Sequence, residues 1–118
     1  MRTEETIFND IQEIKKKLLK INEFQIGTLS KQWNVCGSPS CRCKDKNNPQ
    51  KHGPYNKLSY TRKGKKGSEF IKEENVEYIS EGISVYKEFK SLTEEWIDLC
   101  LELSKTRKKK IAKYIKIY

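Results

Sequence analysis

The sequence is poor in several residue types that common protein classes require. It has a single histidine, His52, and no glycine-rich phosphate-binding loop. It therefore offers no recognisable set of nucleophile, base and oxyanion-stabilising group, and we expect a protein without catalytic activity. It also lacks a run of about 18 apolar residues and an apolar segment behind the amino terminus, which argues against a membrane span and a signal peptide. We expect a cytoplasmic protein, whose thiols stay reduced.

Apolar residues are also scarce. They make up 35% of the 118 residues, and charged residues make up another 35%. A chain of this length is expected to form one structural domain. Because its core must be small, a bound metal ion would contribute strongly to its stability.

Acidic residues are nearly absent from two segments. Residues 42–67 carry nine basic side chains and one acidic side chain, and residues 105–118 carry seven basic side chains and no acidic one. Residues 68–104 show the opposite balance, with ten acidic and three basic side chains. The net charge of +9 is therefore segregated, which favours a polyanionic partner such as nucleic acid.

Three of the four cysteines lie close to the only histidine. Cys36, Cys41, Cys43 and His52 fall within 17 consecutive positions and match the ligand set of a closed, structural Cys3His zinc site. A disulfide between two of the cysteines would close a short ring or leave an odd thiol. An iron–sulfur cluster normally needs four thiolates. A thiol redox role, catalytic zinc and chance clustering stay open as alternatives, and structural zinc is favoured.

The first segment has the pattern of an amphipathic helix. Apolar residues recur every three or four positions from Ile7 to Ile21, and Thr3 is a suitable N-cap. This stripe predicts packing within the domain or pairing with another chain, and periodicity alone does not distinguish the two.

The middle of the chain has the pattern of a small antiparallel sheet. Residues 27–35 are predicted to form a strand with Leu29, Trp33 and Val35 on one face. Residues 55–62 and 68–71 are predicted to form a hairpin, whose basic turn at 63–67 is longer than two residues. Within this hairpin, Tyr60 is assigned to the core.

A long helix is predicted from Asn75 onwards, with Asn75 as its N-cap. An apolar stripe continues to Leu103, and no proline follows Pro54. Cys100, beside Leu99, is interpreted as a small buried side chain. Because so long a helix exceeds what a small core covers, we expect a homodimer through the helices. The basic residues of 107–110 are either solvated or in contact with nucleic acid.

The Cys-x4-Cys-x-Cys motif, together with His52-Gly53-Pro54-Tyr55, resembles a family of small uncharacterised prokaryotic proteins. The resemblance covers roughly residues 26–104. It implies a strand, a metal-binding knuckle, a basic hairpin and a long helix, and some family members are associated with mobile elements. Members often have an aromatic residue where this chain has Asn56.

Taken together, the patterns predict an α+β fold: an N-terminal helix (1–22), a zinc-clasped sheet module (23–74) and a C-terminal helix with a basic tail (75–118). We expect a zinc-stabilised nucleic-acid-binding accessory or regulatory protein, with DNA favoured over RNA. The alternative is a protein–protein adaptor that acts through its helical stripes. The residues expected to contact phosphate are Arg42, Lys44, Lys51, Lys57, Arg62, Lys63, Lys65 and Lys66.

Overall fold

A computed structural model describes residues 2–117 of the chain, with side chains from 2 to 111. Met1 and Tyr118, the ends of the predicted segments 1–22 and 75–118, lie outside the described residues. The secondary structure consists of helix α1 (Glu4–Leu19), strands β1 (Thr28–Asn34), β2 (His52–Arg62) and β3 (Lys65–Ile71), and helix α2 (Val76–Ile117), with 3-10 turns at Arg42–Lys44 and Glu73–Asn75. The predicted α+β fold is confirmed.

The chain divides into two compact units. The helical unit contains the residues up to Phe24 and those from Val85 onwards, and the sheet unit contains Gln25–Ser84. The first turns of α2 thus belong to the sheet unit and the rest of α2 to the helical unit. No helix among residues 2–117 is both long enough and apolar enough to cross a bilayer.

In the helical unit, α1 packs its apolar stripe against α2. The core contains three isoleucines of α1 and three leucines of α2, and Ile7 is fully buried. The predicted N-cap is confirmed, because the amide of Thr6 donates a hydrogen bond to Thr3 Oγ1 at 3.2 Å. The sequence left open whether α1 packs within its own chain or pairs with another chain, and packing within its own chain is present. The core residues are Ile7, Ile11, Ile14, Leu92, Leu99 and Leu103.

Ion pairs hold the ends of these two helices together. Arg2 bonds Asp10 and, at 2.9 Å, Glu102, while Glu4 accepts hydrogen bonds from Arg107 and Lys110 at 3.1 Å each. The hydrogen bond from Lys110 is the main reason that the pKa of Glu4 is lowered. The hydrogen bond from Arg2 likewise lowers the pKa of Glu102.

Two details of α2 differ from the sequence-based expectation. Asn75 is not an extended N-cap, because it lies in a 3-10 turn that runs directly into α2, and Lys72 is the extended residue before that turn. Cys100 is exposed rather than buried. Neighbouring helical residues point about 100° apart, so a residue next to buried Leu99 lies to the side of the stripe.

The sheet unit is a three-stranded antiparallel sheet with β2 in the centre. One sheet face is buried: Leu58 is 1% exposed, and Leu29 and Ile71, which share its face, are partly covered. Trp33 and Val35, which were predicted to share the apolar face of β1, are about half exposed. The register shifts between Gln32 and Asn34, which pairs with His52, so the regular alternation of the two faces is interrupted at Trp33.

The hairpin between β2 and β3 has a two-residue turn, so the prediction of a longer loop was wrong. Lys63 and Gly64 both have positive φ, and Arg62 already pairs with Lys65. A two-residue turn in which both residues have positive φ matches the right-handed twist of the paired strands. Gly67 lies under the half-buried Tyr60 ring, since a Cβ there would stand 2.6 Å from two ring carbons.

Candidate functional site

The predicted metal ligands come from three separate pieces of local structure. Cys36 follows β1, and His52 is the first residue of β2. Cys41 immediately precedes the turn Arg42–Lys44, and Cys43 lies within that turn. Pairing of Asn34 with His52 joins β1 to β2 at this end of the sheet. The ladder therefore fixes the first and last ligands, and the loop between them carries the other two.

The four ligand atoms form a compact cluster, and all of them lie within 4.8 Å of one another. Cys36 Sγ is 3.5 Å from Cys43 Sγ, and Cys41 Sγ is 3.2 Å from His52 Nε2. In a tetrahedral zinc site with Zn–S bonds of about 2.3 Å, neighbouring ligand atoms lie about 3.5–3.8 Å apart. The cluster therefore has the size and donor set that a metal ion requires.

The surroundings of Cys36 and Cys43 shift the pKa values of the two thiols in opposite directions. A hydrogen bond from the backbone N–H of Ser38, followed by contact with His52, lowers the pKa of Cys36 to about 6. Burial raises the pKa of Cys43, which is 3% exposed; the hydrogen bond from the Cys36 backbone opposes this rise, and the side chains of Cys36 and Cys41 add to it. The amide of Cys36 also donates to Cys43 Sγ at 3.3 Å. These surroundings favour a thiolate at Cys36. At the buried Cys43, a bound cation would replace the proton and compensate the charge of the thiolate.

Gly53 is needed for the backbone next to His52. Its φ is +130°, and a Cβ built on it would stand 2.8 Å from the carbonyl oxygen of Gln32 and 3.1 Å from the amide nitrogen of Tyr55. Both neighbouring atoms are backbone atoms and cannot rotate away. The backbone after the histidine therefore makes a close approach to β1 that only glycine permits.

The structure places all eight basic residues predicted to contact phosphate in the sheet unit. Arg42 and Lys44 lie on the 3-10 turn and Lys51 precedes β2. The hairpin tip, which we define as Arg62, Lys63, Lys65 and Lys66, is exposed, and Lys57 in mid-strand is partly buried. Lys65 and Lys66 belong to β3 and alternate between its faces.

These eight residues differ from the basic residues at 107–110 in whether they form ion pairs with carboxylates. Within residues 2–111, none of the eight has a carboxylate partner, whereas Arg107 and Lys110 both bind Glu4. Half of the basic side chains at 107–110 are thus engaged inside the helical unit. The eight cations predicted to contact phosphate are therefore available to an external anion.

Sequence reasoning missed a buried polar network in the sheet unit. Asn56 is 8% exposed, accepts a hydrogen bond from Lys31 Nζ at 2.8 Å and donates one to Glu73 at 2.7 Å. It thereby links β1, β2 and the turn before α2. The amide of Asn56 was the available signal, because an amide within a predicted strand requires polar partners when it is buried.

The metal cluster and the whole sheet fall within one region of similarity to known proteins. No curated protein and no solved structure matches the chain significantly. Residues 4–81 match the family described as Domain of unknown function (DUF6788), and this region contains α1, all three strands and the four clustered ligands. The chain therefore belongs to the Domain of unknown function (DUF6788) family.

Proposed function

We propose that this protein is a zinc-stabilised nucleic-acid-binding protein with an accessory or regulatory role and no catalytic activity of its own. DNA is the favoured ligand. The observation that carries the proposal is the set of eight basic side chains in the sheet unit that lack carboxylate partners within residues 2–111. A link to a mobile element rests on the resemblance alone.

The role of zinc in this proposal is structural. Three thiolates and His52 Nε2 complete a tetrahedral shell, which leaves no position for a reacting water. Bound zinc would hold the end of β1, the 3-10 turn and the start of β2 together. Apart from the ligand Cys43, the buried apolar side chains of the sheet unit are Leu58 and Ile79, which are 1% and 9% exposed, so such a cross-link would add much of its stability.

Electrostatics supports a nucleic-acid ligand. The hairpin tip places Arg62, Lys65 and Lys66 on two paired strands and Lys63 in the turn that joins them, so the ladder limits their separation. Each lysine or arginine that neutralises a phosphate releases counterions, and this release makes binding strongly dependent on salt. A small sheet with a basic hairpin can therefore follow a phosphate backbone without a pocket.

The proposal is tested by replacing Lys63, Lys65 and Lys66 together with glutamine. We expect weaker binding of a labelled 20-base-pair DNA, and a plot of log K against log salt whose slope is shallower by roughly 2 to 3, at about 0.9 per lost phosphate contact. Fluorescence anisotropy at several salt concentrations gives both quantities.

The matched control removes three lysines from α1 by replacing Lys15, Lys16 and Lys17 with glutamine. It changes the net charge equally but lies outside the sheet unit, so the salt slope should stay near that of the unmodified protein. An equal loss in both variants, or no binding of nucleic acid at low salt, would refute the proposal.

A second candidate function is protein–protein contact through α2, with a second copy of this chain as the partner. The side chains of Ile97 and Leu101 are 54% and 57% exposed. With Trp96 and Cys100 they line an open, largely apolar depression on the surface of α2. This surface favours a homodimer because apolar side chains on one helix face gain most from a matching face.

Sedimentation velocity tests this candidate with the variants Ile97→Glu and Leu101→Glu. A dimer through this surface should become a monomer in each variant. A monomeric unmodified protein, or a dimer that both substitutions leave intact, would contradict it. The nucleic-acid measurements are independent of this result, because the variants leave the sheet unit unchanged.

A further inference from the structure

The sheet has one buried face and one open face. The register sets Gln32 opposite Tyr55, and aligns Ser30, Lys57 and Phe70 across the three strands. Because side chains alternate along a strand, these residues lie on the face opposite to buried Leu58. We call this surface the open face.

Two aromatic side chains lie together on the open face. Tyr55 and Phe70 are 43% and 57% exposed, and their ring centroids are 5.7 Å apart with an interplanar angle of 58°. A single exposed apolar side chain is normal on a protein surface. Two adjacent exposed rings on neighbouring strands form a continuous apolar platform instead.

The platform is surrounded by groups that suit a phosphate backbone. Lys57 lies directly opposite Phe70, and Lys66 lies on the same face towards the hairpin turn. The remaining strand residues of the open face carry hydroxyl or amide groups, and none of them is a carboxylate. The charge and the hydrogen-bonding groups therefore complement an anion that also has aromatic surfaces.

We propose that the open face binds single-stranded nucleic acid, with successive bases stacked on Tyr55 and Phe70 and phosphates held by Lys57 and Lys66. This inference rests on the proposed nucleic-acid function and specifies its ligand. Stacking requires free base faces, which a single strand offers and a closed duplex does not. The tilt between the rings gives each of two splayed bases its own platform.

The test compares a labelled 20-nucleotide deoxythymidine strand, the matching uridine strand and a 20-base-pair DNA duplex. Replacement of both Tyr55 and Phe70 with leucine keeps apolar side chains on the strands and removes the stacking surface. We expect both single strands to bind about 5- to 150-fold more weakly for each stacked base that is lost. The salt slope should not change, because no charge is removed.

Three control variants separate stacking from folding and from charge. Phe8→Leu removes an aromatic ring that is 47% exposed on α1 and should leave binding unchanged. Tyr55→Trp with Phe70→Trp should retain binding, since tryptophan also stacks. Lys57→Gln should lower the single-strand salt slope by about 0.7.

The possible results distinguish the two levels of the proposal. If the unmodified protein binds single strands but the leucine variant binds them equally well, the open-face assignment is refuted and the nucleic-acid function stands. Preference for the duplex over both single strands would also refute the assignment. If no probe binds, the proposed function itself fails. If both single strands bind, the difference in affinity between the thymidine and uridine strands identifies DNA or RNA as the preferred ligand.

Discussion

Substitution of glycine by alanine at three positions of the sheet unit gives a graded test of the backbone around the metal cluster. Gly53 has a φ of +130° and backbone atoms 2.8 Å and 3.1 Å from the position of an added Cβ. Gly64 has a φ of +78° but nothing within 4 Å of that position. Gly37 also has open space around it, and its φ lies outside the positive region. Substitution at Gly53 therefore causes backbone strain and a steric clash, substitution at Gly64 causes strain alone, and substitution at Gly37 causes neither.

The expected costs follow from these differences. Gly64→Ala should cost about 1–2 kcal/mol of unfolding free energy, the cost of a left-handed non-glycine residue. Gly53→Ala should cost more, about 2–4 kcal/mol, because the strands must also separate to relieve the clash. Gly37→Ala should change the stability by less than about 0.5 kcal/mol, or raise it slightly by restricting the unfolded chain.

Urea unfolding of the zinc-saturated proteins, followed by circular dichroism, measures these costs. Competition with a chromogenic chelator adds a second readout, because Gly53 adjoins His52. We expect Gly53→Ala to weaken zinc binding by about 10-fold or more, comparable to the loss of a group that orients a ligand. Equal stability and equal zinc affinity of the Gly53 and Gly37 variants would refute the account of this turn.

Three further predictions concern the two units separately. Asn56→Ala should lower the unfolding free energy by about 0.5–1.5 kcal/mol, because it removes the hydrogen bonds to Lys31 and Glu73, whose exposed side chains can bind water instead, and urea unfolding measures this loss. Ile7→Ala, at a fully buried position, should cost about 2–5 kcal/mol, whereas Leu19→Ala, which is 83% exposed, should be nearly neutral in the same assay. The pKa of Glu4 is lowered in the folded protein, so its contribution is complete above the unfolded pKa of about 4.3 and is lost as the pH falls through the folded value. The thermal midpoint should therefore fall less between pH 6 and pH 3 in Glu4→Gln than in the unmodified protein, and an identical fall would contradict this role.

The elements that depend on local pattern could be predicted from the sequence. The stripe of α1 and its Thr3 cap are set by residues within a few turns, and both are present in the structure. The metal ligands lie within 17 positions, so their proximity needs little knowledge of the fold.

The features that depend on register or on a single backbone conformation could not be predicted in the same way. Lys63 adopts a positive φ in the hairpin turn, although lysine carries no sequence signal for that conformation. Burial of Asn56 and the pairing of Tyr55 with Phe70 follow from the alignment of strands. An irregularity at one end of the sheet also changed which residues are covered. A shift of one residue exchanges the two faces of a strand, so the open face becomes visible only when the register is known.

The central claim is that one zinc ion, held by Cys36, Cys41, Cys43 and His52, stabilises the sheet unit. Native mass spectrometry of the purified protein, paired with unfolding before and after chelation, tests it most directly. The account predicts one zinc ion per chain, its loss in Cys43→Ser, its retention in Cys100→Ser, and a large fall in the unfolding midpoint when zinc is removed. A chain that carries less than about one equivalent of zinc, or that unfolds at the same midpoint with and without the metal, would contradict it.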